Sequence, residues 1–186
     1  MVRDTVETTI GEIIDELDDE MDAVGAKADA AEDGSHEQQR LDSRGVQLGE
    51  RHDAFRELGE AFSRDAAITI ADLDIGERIE FHEHLDKARE QFADQNGFEP
   101  KGEKLRDLWW TVAGVIDAPW YDGGNDDRGL QERMAQTKQQ EPPWHALQYL
   151  RDRVTEVNGS DSGNSNPYVA RRAETVGTRT NSRFPA

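Results

Sequence analysis

Two groups of residues have the side chains that chemistry would need. The first is Glu80, His82, Glu83, His84 and Asp86. Imidazole nitrogens and carboxylate oxygens are metal ligands, so the enzymatic alternative for this chain is a metal-dependent hydrolase. The spacing argues against it. Residues two apart point to different faces of a helix, and His-x-His lacks the i, i+4 pairing by which two histidines of one helix hold a zinc ion. Glu80 with His84, or His82 with Asp86, would share a face, but each pair supplies only two ligands. Surface histidines paired with carboxylates are the plainer expectation. The second group, Asp122, Asn125, Asp126 and Asp127, offers oxygen donors to a hard cation but lacks the glycine position and closing glutamate of an EF-hand loop. The chain has no cysteine, which removes disulfides, thiolate nucleophiles and thiolate metal sites. No Gly-x-Ser-x-Gly, P-loop or dinucleotide-binding motif is present. With 40 acidic residues in the chain, paired carboxylates occur at every spacing and identify nothing. The sequence therefore points to no catalytic residue, no metal and no cofactor, and to a protein that is not an enzyme.

A third group is suited to recognition. From Asn158 the composition changes abruptly: NGSDSGNSN holds no apolar residue and has the make-up of a flexible linker. Residues 167–186 then carry Arg171, Arg172, Arg179 and Arg183 against Glu174 alone, a charge of +3, while the preceding 166 residues carry -21. Guanidinium groups pair with carboxylates through two parallel hydrogen bonds, and aromatic side chains make good anchors. Tyr168, Arg171, Arg172, Arg179, Arg183 and Phe184 are accordingly the expected partner contacts of an extended C-terminal arm.

The elements that would position these groups read as helices. Val6, Ile10, Ile13, Leu17, Met21, Val24, Ala28 and Ala31 follow at steps of 4, 3, 4, 4, 3, 4 and 3, which predicts a helix over residues 5–31 with a narrow apolar seam. Asp33-Gly34 breaks it, and Ser35 with Gln38 opens a second helix. There Leu41, Leu48, Phe55 and Phe62 stand seven apart, with Arg44 and Arg51 between them to pair with the acidic first helix. Residues 1–64 thus form a helical hairpin or an intermolecular coiled coil, weakened by Gly45, Gly49 and Gly59. Residues 66–76 predict a short extended segment, an edge strand, although Ile70, Leu73 and Ile75 would equally suit the start of a helix. A helix follows over 77–93, with Phe81, Leu85, Ala88 and Phe92 on its stripe and Ile79 beside it, stopped by Asn96-Gly97.

The centre of the fold is Leu105 to Tyr121, which holds three of the four tryptophans. Leu105, Leu108, Trp109, Val112 and Ile116 recur at three- and four-residue steps, with Trp110 and Val115 widening the stripe. Pro119 ends this helix, and Trp120 and Tyr121 fold back over it. A polar helix over 130–139 buries Leu130 and Met134. The last helix opens at Pro142-Pro143 and presents Trp144, Leu147, Leu150 (or Arg151), Val154 and Val157 to the tryptophan helix. The organisation expected is a hairpin (1–64), a small tryptophan-centred helical bundle (65–157), and a linker with a basic arm (158–186).

Only 34% of the chain is hydrophobic against 33% charged, and the mean hydropathy of -0.90 leaves no apolar run for a membrane span. A net charge of -18 repels phosphates, so neither an anionic membrane nor nucleic acid is an expected partner of the acidic body. Only five of the 22 basic residues are lysines. This excess of carboxylates with few lysines resembles the proteins of extremely halophilic archaea and of the tailed viruses that infect them. Over residues 66–186 the plan, a helical bundle followed by an extended C-terminal arm, also resembles the head-to-tail adaptor proteins of tailed viruses. That resemblance implies a structural protein that docks a neighbouring subunit through its arm, in a homo-oligomer or a hetero-assembly, present in the cytoplasm during assembly or in the virion. The alternative is an assembly chaperone or scaffold that binds a client through the N-terminal helices.

Overall fold

The computed structural model describes residues 5–97, 103–121 and 129–159. Six helices and a three-stranded antiparallel sheet occupy them, in the order β1 (Thr5–Thr9), α1 (Ile10–Ala30), α2 (His36–Ala61), β2 (Ala67–Ala71), α3 (Ile75–Asn96), α4 (Lys104–Gly114), β3 (Val115–Asp117), α5 (Leu130–Gln140) and α6 (Trp144–Val157). The protein is mostly α, as its periodicities require. The C-terminal arm, with Tyr168, Arg171, Arg172, Arg179, Arg183 and Phe184, and the cation-loop residues Asp122, Asn125, Asp126 and Asp127 lie outside the described residues.

The chain begins with a strand where a helix was expected. Thr5, Val6, Thr8 and Thr9 are β-branched, and residues 5–9 pair with residues 67–71, Val6 opposite Ile70. Helix α1 starts only at Ile10 because Thr9 and Glu12 form a capping box: the Thr9 hydroxyl accepts from the Glu12 amide at 3.2 Å, and the Thr9 amide donates to the Glu12 carboxylate at 2.8 Å. These hydrogen bonds, the one from the Thr9 amide foremost, hold the Glu12 carboxyl below its usual pKa. From Ile10 on, the apolar seam is where its spacing puts it. Ile10, Ile13, Ile14 and Leu17 are buried, and α1 packs against α2, which supplies Leu48, Phe55 and Leu58. The hairpin is therefore closed within one chain. Arg44 pairs with Glu20 of α1 at 2.6 Å as its seam position implied. Arg51 instead reaches α6, with Asp152 at 2.6 Å and the Tyr149 ring beneath its guanidinium.

Strand β2 lies at the centre of the sheet, not at an edge, with β1 on one side and β3 on the other. Its Ile68 and Ile70 are buried. Strand β3 takes Val115 and Ile116 out of the tryptophan helix, which ends one residue earlier at Gly114. Packing accounts for this. A Cβ at Gly114 would collide with Val154 Cγ1, so α4 and α6 cross with backbone against side chain. Continuing α4 past that crossing would carry Val115 away from its pairing with Ile70. The carbonyls freed at the helix end are taken by Arg133 of α5, which is buried and donates to the Val112 oxygen at 3.1 Å and the Ala113 oxygen at 3.3 Å.

Helix α3 opens on a second capping box, Asp74 with Glu77, and stops at left-handed Gly97. Phe81 and Leu85 are buried, whereas Ile79, expected beside their stripe, is 55% exposed, and Ile75, the first residue of α3, is 79% exposed. Trp109, Trp110, Trp120, Leu147, Leu150 and Val154 join the hairpin residues in a single apolar cluster that spans both sides of residue 64. Phe55 meets Tyr149 edge to face at 5.2 Å, and Phe81 meets Trp110 in the same manner at 5.2 Å. Asn158, expected as the first residue of the linker, instead belongs to the body. Its buried side chain accepts from the Leu73 amide at 2.7 Å and donates to the Ala71 and Val154 carbonyls at 3.1 and 2.8 Å. It thereby ties the end of α6 to the end of β2.

Candidate functional site

A cleft of about 300 Å³ opens where the first turn of α4 passes the last turns of α6. Its walls are Glu103, Arg106, Asp107 and Trp110 on one side, and Arg151, Asp152 and Thr155 on the other. Helical spacing places them there. Glu103, Asp107 and Trp110 follow at steps of four and three on the flank of α4, beside the face that buries Trp109, Val112 and Ala113. On α6, Leu150 and Val154 are buried in the core, so the residues after them, Arg151 and Thr155, emerge at the seam. The close crossing at Gly114 holds the two walls together, and the Trp110 indole N–H donates to the Thr155 hydroxyl at 3.2 Å.

Charge in the cleft is unevenly satisfied. Asp152 receives Arg51 at 2.6 Å and Arg151 at 2.8 Å. Among the described residues, the Asp107 carboxylate makes a long contact to Arg151 at 3.5 Å. Burial pushes the Asp107 carboxyl above its usual pKa; Arg151 and, to a smaller extent, Arg106 oppose this, and the negative charges of Glu103 and Asp152 add to it. Glu103 precedes α4 and makes no side-chain capping bond to it. Arg151 Nε is buried without a hydrogen-bond partner. The Thr155 hydroxyl donates to the Arg151 carbonyl at 2.9 Å, so its proton is already engaged and no histidine stands by to remove it. The cleft thus brings side chains of both charges together along its two walls.

The histidine group divides: His82 is exposed, whereas the His84 side chain is largely covered. The His84 ring stacks on Trp109 at 5.5 Å, with Glu80 at 3.4 Å from one nitrogen and Gln131 at 3.2 Å from the other. His82 lies against the Phe81 ring. Among the described residues no group of three or more His, Asp or Glu side chains could hold a metal ion. No helix among them is long and apolar enough to cross a membrane. The cleft residues carried no motif in the sequence. Their one trace was the ambiguity between Leu150 and Arg151 on the face of α6, which only packing resolves. In comparisons with known proteins, no family model, no curated protein and no solved structure matches this chain.

Proposed function

We propose that this is a non-enzymatic structural or assembly protein of a halophile or haloarchaeal tailed virus, a head-to-tail connector component that grips a neighbouring subunit through its C-terminal arm. The observation that carries this reading is the division of charge: a helical body of carboxylate-rich surface, followed by a segment in which four arginines face a single glutamate. Opposite charge on one chain favours association between copies or with a second acidic subunit. The packing is consistent with such a role, because the hairpin and the tryptophan helix share one apolar cluster and the body needs no partner to cover its seam. Deleting residues 160–186 should abolish assembly while leaving the helical circular dichroism nearly intact. Mass in solution by light scattering, compared for the two chains, is the test. Equal masses would remove the reading.

One observation favours the assembly chaperone or scaffold. On α2, Val46 is 64% exposed between Gly45 and Gly49, and a Cβ added at either glycine would meet nothing within 4 Å. That flat strip is open to a client helix. Mass spectrometry of finished particles separates the two: a connector remains in them and a scaffold does not.

A further inference from the structure

The two edges of the sheet are unlike. Strand β3 is three residues long, and its register with β2 shifts between Thr69 and Ile70, which blunts that edge against further pairing. Strand β1 pairs with β2 over five residues without a shift and carries no proline or lysine. Its hydrogen-bond parity can be read from its end. The Ile10 amide donates to the Ala66 carbonyl at 3.0 Å, whereas the Thr9 amide turns away from β2 to the Glu12 carboxylate at 2.8 Å. Bonding directions alternate along an antiparallel strand, so Val6 and Thr8 bond to β2 while Thr5 and Glu7 turn their N–H and C=O groups outward. The capping box closes this edge at Thr9 and leaves it open from Thr5 to Glu7, all three of which are exposed. Val6 stands opposite Ile70, so its side chain lies on the face of the sheet that buries Ile68 and Ile70, yet it is 41% exposed. A free backbone ladder and an uncovered apolar margin coincide there.

We propose that the outer edge of β1 joins two copies of this chain, antiparallel about Val6. In that register Thr5 of each copy stands opposite Glu7 of the other, and these pairs use all the outward N–H and C=O groups of both residues. Val6 meets Val6 of the second copy at a non-hydrogen-bonded position, where opposite Cα atoms are about 4.5 Å apart and side chains are closest. Each covers the other, and the two buried faces become continuous. Charge selects the same register. Glu7 is the one charged residue of β1, and here each carboxylate faces a threonine hydroxyl, a donor. Sliding the strands until Glu7 faced Glu7 would set like charges directly opposite and would call on the Thr9 amide, already held by Glu12. A strand pair of this length buries less than the roughly 800 Å² per partner of a standard interface, so the association expected is concentration-dependent. It is separate from the C-terminal arm and does not rest on the assembly reading.

The chain has no cysteine, so a single Val6→Cys in the full chain reports on this contact alone. Mild oxidation should give a reducible dimer whose yield rises with protein concentration. Thr8→Cys is the comparison. It lies on the same face of the same strand, but in this register the two copies of residue 8 are about 14 Å apart, beyond disulfide reach. Adding Glu7→Pro to Val6→Cys removes an outward N–H without touching the β1–β2 ladder and should cut the dimer yield at least about fivefold. Adding Glu7→Gln instead should leave the yield equal or greater. Unaltered thermal melting of each variant establishes that the body is folded. Cross-linking by Val6→Cys no better than by Thr8→Cys, or a yield indifferent to Glu7→Pro, overturns the pairing. Because the cross-link reads residue 6 and not total mass, its outcome is independent of whether the arm assembles.

Discussion

The crossing of α4 over α6 and the far half of the α1–α2 hairpin both rely on glycine, with opposite results. At the crossing, Gly114 lets Val154 approach so closely that even a methyl group would collide with it. In the hairpin, Gly25, Gly45 and Gly49 face open space, and nothing lies within 4 Å of where their Cβ atoms would be. One region omits a side chain so that a valine of the neighbouring helix can press onto its backbone; the other omits them without any packing return. Cohesion is therefore concentrated around α4, α6 and the sheet. The hairpin is held at its base by Ile10, Ile13, Leu17, Phe55 and Leu58, and further out by half-exposed pairs such as Arg44 with Glu20.

That contrast can be broken at several points. The largest effect is expected from Gly114→Ala, which should cost about 3 kcal/mol by forcing the α4–α6 crossing apart. A urea midpoint unchanged from the parent would mean that the crossing is not close-packed. Next is Asn158→Ala, which leaves the Leu73 amide and the Ala71 carbonyl without their partner; the expected loss is about 2 kcal/mol, read as a lowered denaturation midpoint. In the hairpin the sign reverses. Gly45→Ala and Gly49→Ala should each stabilise by about 0.5–1 kcal/mol, since alanine favours helix and nothing obstructs its methyl group. Destabilisation by either would show that the strip is covered by something the open geometry does not reveal.

The smallest effect concerns acid. Asp107 has a raised pKa in the folded chain, so between its ordinary and its raised value the native state binds more protons than the unfolded one. Stability attributable to this residue therefore falls as pH rises through that window. Asp107→Asn should flatten that part of the stability profile, and the difference between the two proteins should shrink as pH is lowered into the ordinary aspartate range. Glu12 runs the other way. Its pKa is lowered, so its contribution is present above the ordinary glutamate value and is lost on acidification. Chemical denaturation as a function of pH, on Asp107→Asn and Glu12→Gln, distinguishes the two slopes.

Much of the helical content was legible from spacing. The second helix and α6 begin where Ser35 and the Pro142-Pro143 pair announce them, and α3 stops at Asn96-Gly97. The misplaced elements share a cause. Val6 fits a four-residue step from Ile10, and Val115 and Ile116 extend the tryptophan stripe, yet all three are β-branched residues drawn into a sheet by β2. The Thr-x-x-Glu spacing at Thr9 that sets the start of α1 lies inside the longer apolar period, which by itself extends the helix to Val6. The cleft was not legible at all, because its seven residues are ordinary charged and polar positions on two helices some forty residues apart.

Composition, the absence of cysteine, the helical periods and the reversal of charge after residue 166 are properties of the chain alone, since they depend on residue type and on neighbours within a turn or two. Which apolar residues become strand, which arginine meets which carboxylate, and where Asn158 and Arg133 find carbonyls to bind were decided only in three dimensions. Each of these depends on segments distant in sequence being brought within a hydrogen bond of one another, and local propensity carries no information about that encounter.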